Sequence, residues 1–172
     1  MLPVLTTPRL VLRPATDADV DAVWRMLVLA QVRRYLCDDK VLARDTVAAI
    51  MADVPHETMG HWIIEDENGF AGLASLKPVA QVLVELVPML GGEVEPTIAL
   101  LPARWGQGRA SEALGAVLAH GFGPLGLARI AAVCDLPNTA SARMLARAGF
   151  QPTGEHQGVF YRIQTWTRNR PA

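Results

Sequence analysis

The feature of this 172-residue sequence that most restricts its fold is a Gly-x-Gly loop between a short strand and an amphipathic helix. The strand pattern covers residues 97–101 and stops at Pro102, and Gly106 and Gly108 follow. Apolar residues then recur at helical spacing at positions 110, 113, 114, 117 and 118. Glycines leave backbone N–H groups uncovered, and the first turn of a helix attracts anions. The pattern predicts a phosphate cradle, with an ordinary loop as the alternative.

Two common phosphate-binding motifs are excluded by the residues around this loop. No Lys-Ser or Lys-Thr pair follows the loop, so it is not a Walker-type P-loop. A dinucleotide-binding fingerprint needs an acidic residue about 20 positions further on, at the end of the next strand. Asp135 is too distant and precedes Leu136-Pro137. Nicotinamide and flavin cofactors are therefore not expected.

The remaining periodicity predicts an α+β fold with a mixed sheet, rather than strict alternation of strands and helices. Strands are predicted at residues 9–14, 61–65, 70–76, 97–101, 129–134, 150–153 and 159–166, with a hairpin turn at 66–69. Helices are predicted from the Thr16/Asp19 capping pattern onward, at 44–54, from Gly108 to a stop at Gly121, and from Asn138 to a stop at Gly149. Residues 79–90 are ambiguous between a buried strand and a short helix. Their part 82–90 is expected in the core, with a homodimer surface as the alternative.

Composition excludes several classes of protein. A formal net charge of −1 argues against nucleic acid or an anionic membrane as the main partner. The N-terminus has no signal-peptide pattern, and no apolar stretch is long enough to span a bilayer. Cys37 and Cys134 cannot form a disulfide framework, and the four histidines lack metal-ligand spacing, so no metal is expected. We expect a single cytoplasmic domain over residues 1–172.

The linked motifs resemble the GNAT N-acetyltransferase superfamily, and within it the RimJ/RimL-type N-terminal protein acetyltransferases. They are Trp105-Gly-x-Gly-x-Ala110, Asn138-x-x-Ser141, Gly149-Phe150, the opening segment 7–13, the strand 69–76, and Glu95 placed seven residues before Pro102. The resemblance covers nearly the whole chain. It implies the GNAT fold, a mostly antiparallel mixed sheet of about six to seven strands flanked by about four helices. Its fourth and fifth strands, here 97–101 and 130–134, splay around acetyl-CoA.

The resemblance also implies which residues bind acetyl-CoA. The backbone N–H groups of the loop would bind the diphosphate, and the backbone of Leu100 and Leu101 would bind the pantetheine arm as an added strand does. Asn138 would bind the same arm, with a helix N-cap as a compatible alternative. Arginines near the motifs, at 104, 109, 143 and 147, are candidates for the 3′-phosphate or simply lie at the surface. The implied set is Leu100, Leu101, Trp105, Gly106, Gln107, Gly108, Arg109, Ala110, Asn138 and Arg143.

The implied reaction acetylates a primary amine, either a protein N-terminus or a small molecule. An aliphatic amine with a pKa near ~10 must lose a proton before it attacks a thioester. Glu95 is the candidate base, with a solvated strand-end residue as the alternative. Ser141 is the candidate proton donor to the sulfur, with support of the helix cap as the alternative. His61 is expected at the surface or half-buried, with a place facing the acceptor as the alternative.

Three positions depart from the superfamily pattern. Leu145 stands where many members have a tyrosine general acid, so that role is vacant. Pro96 removes one backbone donor from the fourth strand, and Ala99 leaves space where an aromatic residue is common. These departures support a second hypothesis, a non-catalytic acyl-CoA-binding or regulatory module of the same fold.

Overall fold

The structure is a computed structural model that describes residues 1–36, 39–53 and 58–171. Its strands are β1 Leu5–Thr6, β2 Val11–Pro14, β3 Gly60–Asp66, β4 Gly69–Pro78, β5 Val94–Leu100, β6 Arg129–Asp135, β7 Gln151–Gln157 and β8 Arg162–Asn169. Its helices are α1 Val20–Leu27, α2 Ala30–Arg33, α3 Arg44–Ala52, α4 Gln81–Leu86, α5 Arg109–Phe122 and α6 Thr139–Arg147. Short 3-10 turns cover Asp17–Asp19, Pro88–Leu90 and Pro102–Arg104. Cys37, His56 and the predicted helix end at Val54 lie outside the described residues.

The strands form two antiparallel sheets that meet at β5 and β6. The first sheet has the order β1-β2-β3-β4-β5, and the second has the order β6-β8-β7. The chain passes from β5 to β6 through α5, which packs against both strands. In the described part of the chain, β5 and β6 lie side by side but share no backbone hydrogen bond. They are the fourth and fifth strands of the sequence prediction, so the expected α+β class and the splay are confirmed.

The helices bury the two faces of the first sheet. On one face α5 contributes Ala113 and Val117 to a core that contains Trp62 and Leu76. On the other face α1 and α3 cover Ile63, Leu73 and Ala99. The capping pattern that predicts α1 is present, because the Asp19 carboxylate accepts hydrogen bonds from the backbone N–H and the hydroxyl of Thr16, at 2.9 and 2.8 Å. Within the described residues, no helix combines the length and apolar character that crossing a membrane requires.

The hydrogen-bond register determines which backbone groups face the space between β5 and β6. At the two ends of the β4–β5 pairing, Val79 N–H donates to Glu93 and Leu101 N–H donates to Ala71, both at 2.9 Å. Hydrogen-bonded and non-bonded pairs alternate along an antiparallel ladder. Residues 95, 97 and 99 therefore bond to β4, whereas the backbone groups of residues 96, 98 and 100 point away from β4 toward β6.

The same alternation applies to β6. Leu136 N–H donates to Arg162 and Arg170 N–H donates to Ala128, both at 2.9 Å, beyond the two ends of the β6–β8 pairing. The even-numbered residues of β6 thus bond to β8. The backbone groups of Ala131 and Val133 face β5. The space between the two strands, which we call the gap, is therefore lined by main-chain donors and acceptors on both sides.

The predicted stop of α5 at Gly121 differs in the structure. Helix α5 continues past Gly121 to Phe122, and Gly121 lies on its buried side, where a Cβ would sit 2.8 Å from Ile130 Cδ1. Of the two alternatives for residues 79–90, the structure has the short helix, α4, followed by a 3-10 turn.

The expectation that residues 82–90 belong to the core holds for only part of this segment. Val87 and Leu90 are buried, but Val82, Leu86 and Met89 are exposed. Because α4 is short and covers the sheet with one side only, its other side faces outward. The homodimer surface stays a prediction.

We predict that Gly72→Ala destabilises the fold. A Cβ at Gly72 would lie 2.1 Å from the carbonyl oxygen of Ala99 and 2.9 Å from Leu100 Cα, so β5 would have to move away from β4. The expected loss in the free energy of unfolding is about 1–3 kcal/mol, measured by urea denaturation. Gly115→Ala is the control, because a Cβ at this exposed position of α5 meets nothing within 4 Å. It should stabilise by about 0.5–1 kcal/mol, and equal effects from the two variants would contradict the prediction.

Candidate functional site

The Gly-x-Gly loop leads into α5 as the sequence predicts. Gly106 has φ +72° and Gly108 has φ +78°, conformations that favour glycine. Gly108 is the N-cap of α5, and no described side chain caps the first turn of the helix. Helix geometry itself leaves the first-turn N–H groups without intrahelical acceptors. A Cβ built at Gly106 meets nothing within 4 Å, so the loop has open space beside it.

Carboxylates of the β3–β4 turn hold both ends of this loop. Asp66 has a fully buried side chain, and its Oδ2 lies 2.5 Å from Arg104 Nε and 3.6 Å from Arg109 Nη1. Arg109 Nη2 also donates to Glu67 Oε1 at 2.7 Å. Arg104 and Arg109 therefore point at the hairpin turn rather than outward. Both guanidinium groups are thus engaged by carboxylates, and their candidacy for the 3′-phosphate stays a prediction.

Trp105 and Gln107 brace the loop from within. Trp105 Nε1 donates to the carbonyl of Leu100 at 2.9 Å. Gln107 Nε2 donates to the carbonyl of Ala103 at 3.0 Å. Both side chains thus shape the loop, and the indole of Trp105 remains about half exposed (47%).

The β5 backbone groups that face the gap belong to Ile98 and Leu100 rather than to Leu101. The N–H of Leu101 donates to Ala71 and its carbonyl accepts from Arg104, each at 2.9 Å, so both backbone groups of Leu101 are engaged. The N–H of Ile98 and that of Leu100 face the gap by the register described above. Ile98 was missed from the sequence because its orientation depends on how β5 pairs with β4. Val133 on the opposite side was missed for the same reason.

The start of α6 lies at the end of β6, where the cap predicted at Asn138 is present. Asn138 Oδ1 accepts a hydrogen bond from Ser141 N–H at 3.2 Å, so both residues take part in the helix cap. Arg143 is exposed, and its Nη2 lies 3.5 Å from Thr139 Oγ1. Leu145 is buried in the core formed by α5, β6 and β8. An apolar contact therefore occupies the position at which many relatives have a catalytic tyrosine.

Glu95 lies on the face of β5 that α1 and α3 cover. Side chains directly opposite one another share a face, and three rows cross the sheet on this face. The rows run through Ile63–Leu73–Ala99, His61–Ser75–Thr97 and Lys77–Glu95. From residue 99 to residue 95 of β5, the side chains on this face are first apolar, then hydroxyl and imidazole groups, and finally charged groups.

The protonation state of Glu95 is unusual for a glutamate. Burial raises the pKa of Glu95 to about 7, while a hydrogen bond from the backbone of Ala80 and the charge of Lys77 act in the opposite direction. A carboxylate with this pKa exchanges protons near neutral pH. Glu95 is the second residue of β5 and is only partly exposed, so it lies near the strand end without full contact with solvent.

His61 is buried, at 5% exposure, in contrast to the expected surface or half-buried position. Its Nε2 lies 3.0 Å from the carbonyl of Ile50, which can only accept, so Nε2 carries the hydrogen. Burial lowers the pKa of His61 to about 4, so the ring is neutral. His61 packs under α3 and does not face solvent.

A family model and a relative of similar sequence both point to the same family of proteins. The family model for the acetyltransferase (GNAT) domain matches residues 9–151. The chain is 30% identical over 177 residues to the uncharacterized N-acetyltransferase YoaA of Bacillus subtilis (strain 168), covering 96% of this chain and 92% of YoaA.

Solved structures have the same fold. The acetyltransferase (GNAT family) from Bacillus anthracis superposes with a TM-score of 0.78 at 20% identity, covering 98% of this chain and 99% of the other. RimL, a ribosomal L7/L12 α-N-protein acetyltransferase in complex with coenzyme A, gives 0.75 at 19% identity, covering 97% and 98%. The expected fold is confirmed, with eight strands in two sheets and six helices among the described residues.

We predict that the free energy of unfolding of the parent depends on pH through Glu95, and that Glu95→Gln removes this dependence. A carboxyl group whose pKa is higher in the folded chain favours folding only when protonated. The free energy of unfolding should therefore fall as the pH rises from 4.5 to about 7, and stay low above it. Glutamine has no such dependence, so the variant should be the more stable protein at pH 8, by roughly 1 kcal/mol after discounting for partial exposure. The difference should vanish near pH 4.

Urea denaturation at pH 4 and pH 8 measures this difference. Glu85→Gln, at an exposed glutamate of α4, controls for the loss of one negative charge. A Glu95→Gln protein that is less stable than the parent at pH 8 would contradict the assignment of a raised pKa.

Proposed function

The chain belongs to the acetyltransferase (GNAT) family, and on this premise we propose that it transfers the acetyl group of acetyl-CoA to a primary amine. The observation that carries the proposal is the combination of an open, glycine-lined helix start with a strand edge at which the N–H groups of Ile98 and Leu100 have no backbone partner in the described part of the chain. A diphosphate followed by an extended amide-bearing arm is complementary to both. The RimL structure named above contains coenzyme A, which supports the same ligand here.

The proposed position of acetyl-CoA follows from the backbone donors. The diphosphate meets N–H groups from Gly106 to Ala110 at the positive end of α5. The pantetheine arm lies in the gap and bonds to the backbone of Ile98 and Leu100, as an added strand does. Val133 and Asn138 are the candidates on the opposite side. Arg143, exposed on the first turns of α6, stays a candidate for the 3′-phosphate.

Glu95 is the proposed general base. It accepts a proton from the ammonium group of the acceptor, directly or through water, so that the free amine can attack the thioester carbonyl carbon. A C–N bond forms, the C–S bond breaks, and the coenzyme leaves as a thiolate. The nitrogen loses a second proton as the amide forms, which balances the proton that the sulfur takes up. The N–H of Ile98 is the proposed donor to the oxyanion, which leaves the carbonyl of Ile98 and the N–H of Leu100 for the pantetheine arm. Ser141 is the proposed proton donor to the sulfur, a role compatible with its place in the helix cap.

The proposed acceptor is a protein N-terminus in the first instance, as expected for a RimJ/RimL-like protein. Similarity of fold to RimL, which acts on ribosomal L7/L12, supports this choice over a small amine. An α-amino group, with a pKa of about 7.7–8.0, is also more easily deprotonated than an alkyl amine. A base with a pKa near 7, as proposed for Glu95, is well matched to it.

We predict that Glu95→Gln lowers kcat about 10²–10⁴-fold and removes one limb of the pH profile. The parent enzyme needs Glu95 ionised, so kcat/KM should rise with pH through an apparent pKa near 7. The variant should lack this limb. Release of the coenzyme thiol from acetyl-CoA with peptide and small-amine acceptors measures both effects, with Glu85→Gln as the control.

An unchanged profile in Glu95→Gln would remove Glu95 from the mechanism. Coenzyme binding without thiol release on any amine would instead favour the non-catalytic module. No finding described above supports that module over the enzyme.

We predict that Gly106→Ala weakens coenzyme A binding at least about 10-fold while the chain stays folded, with a stability loss no larger than that of a matched glycine elsewhere. The new methyl group enters the open space beside the loop, and alanine is strained at φ +72° by about 1–2 kcal/mol. Gly126→Ala is the matched control, since Gly126 has φ +64°, has nothing within 4 Å of its Cβ position, and lies far along the chain from the loop. Calorimetry and thermal melting compare the pair. Equal losses of affinity would contradict a diphosphate at Gly106.

A further inference from the structure

The opening segment of the chain contacts the Gly-x-Gly loop through Arg9. Arg9 Nη1 donates to the carbonyl of Gln107 at 2.9 Å. Arg9 Nε donates to Glu112 Oε2 at 2.7 Å, and Arg9 N–H donates to Glu112 Oε1 at 2.9 Å. One side chain therefore joins the middle residue of the loop to the first turn of α5.

The position of Arg9 is itself fixed. The hydroxyl of Thr7 donates to Glu112 Oε1 at 2.6 Å and accepts from Leu10 N–H at 2.9 Å. Leu10 is buried in the core beside Leu12. The turn at residues 7–10 thus holds the backbone of Arg9 between a buried leucine and a paired glutamate, so that its side chain, 47% exposed, starts beside the loop.

The contact to Gln107 determines where the next N–H points. A peptide unit is planar and trans, so the carbonyl of Gln107 and the N–H of Gly108 point in opposite directions. Arg9 holds the carbonyl on its own side of the loop. The N–H of Gly108 must then point to the other side, away from Arg9.

Arg9 also compensates a charge that would oppose an anion. Glu112 lies in the first turn of α5, where a bare carboxylate would repel a phosphate group. Although burial acts to raise it, hydrogen bonds from Thr7 and Arg9 hold the pKa of Glu112 below its ordinary value. Glu112 is therefore ionised, and the ion pair with Arg9, at 2.6 Å, offsets its charge.

We propose that Arg9 is a positioning residue for the diphosphate of acetyl-CoA: it orients the Gly108 N–H toward the ligand and neutralises Glu112. This inference rests on the proposed function. Arg9 acts through the loop and does not touch the coenzyme. The same segment contains Arg13, which instead pairs with Asp19 and Glu65 at 2.7 and 2.9 Å and has no contact with the loop.

Replacement of Arg9 is a clean test, because its side chain is not part of the core. It lines an open cleft of about 560 Å³ between residues 7–11 and the β3–β4 turn, so truncation admits water instead of leaving a void. Arg9→Gln and Arg9→Lys remove the forked contact to Gln107 and Glu112, and the lysine keeps the charge. Arg13→Gln is the matched control from the same segment.

The test compares coenzyme A with dephospho-coenzyme A, which keeps the diphosphate but lacks the 3′-phosphate. We expect Arg9→Gln to weaken both ligands by the same factor, about 5–30-fold by calorimetry. KM for acetyl-CoA should rise by a similar factor while kcat at saturation stays unchanged. Arg9→Lys should lose less affinity for the two ligands than Arg9→Gln does. Arg13→Gln should bind both ligands as the parent does.

Three outcomes would overturn the inference. Unchanged affinity in Arg9→Gln removes the role altogether. A loss for coenzyme A but not for dephospho-coenzyme A places Arg9 on the 3′-phosphate, as a direct contact. An equal loss in Arg13→Gln shows that general disruption of the opening segment is the cause. Failure of the parent protein to bind coenzyme A overturns the proposed function as well, which distinguishes that result from the other three.

Discussion

The hydrogen-bond register between β4 and β5 is the constraint on which the rest of the site depends. The backbone groups of Thr97 and Ala99 form hydrogen bonds with β4, so those of Ile98 and Leu100 point into the gap. Side chains follow the same alternation: Glu95 shares a face with α1 and α3, whereas Ile98 packs toward α5. One register therefore sets both the backbone groups that are proposed to bind the ligand and the side chain that is proposed as the base. A slip of one residue would exchange the two sets.

Charges around the loop are arranged in pairs. Asp66 and Glu67 meet Arg104 and Arg109 on one side, and Glu112 meets Arg9 on the other. With these side chains occupied by one another, the main-chain N–H groups and the end of α5 are left to attract an anion. The arginines nearest the loop therefore lie beside it with their guanidinium groups already paired. The anion site proposed here needs no excess of positive side chains.

Local patterns predicted much of this arrangement from the sequence. The Gly-x-Gly loop ahead of α5, the β3–β4 hairpin and the cap at Asn138 each depend on residues adjacent in the chain, and each is present. Features set by distant residues were not predicted. The engagement of Leu101 depends on Ala71. The burial of His61 depends on α3 covering it, and the direction of Arg109 depends on a turn about forty residues earlier.

Pro96 has a consequence beyond the reaction. An exposed sheet edge invites other chains to add to it, and natural proteins interrupt such edges with proline. Pro96 is one of the β5 residues whose backbone faces the gap, and it has no N–H to donate there. Near the other end of β5, the carbonyl of Leu100 already accepts a hydrogen bond from the Trp105 indole. Between these two stops the edge offers an uninterrupted run of only two or three residues, roughly 7–10 Å. That is room for a short extended molecule and too little for a long added strand.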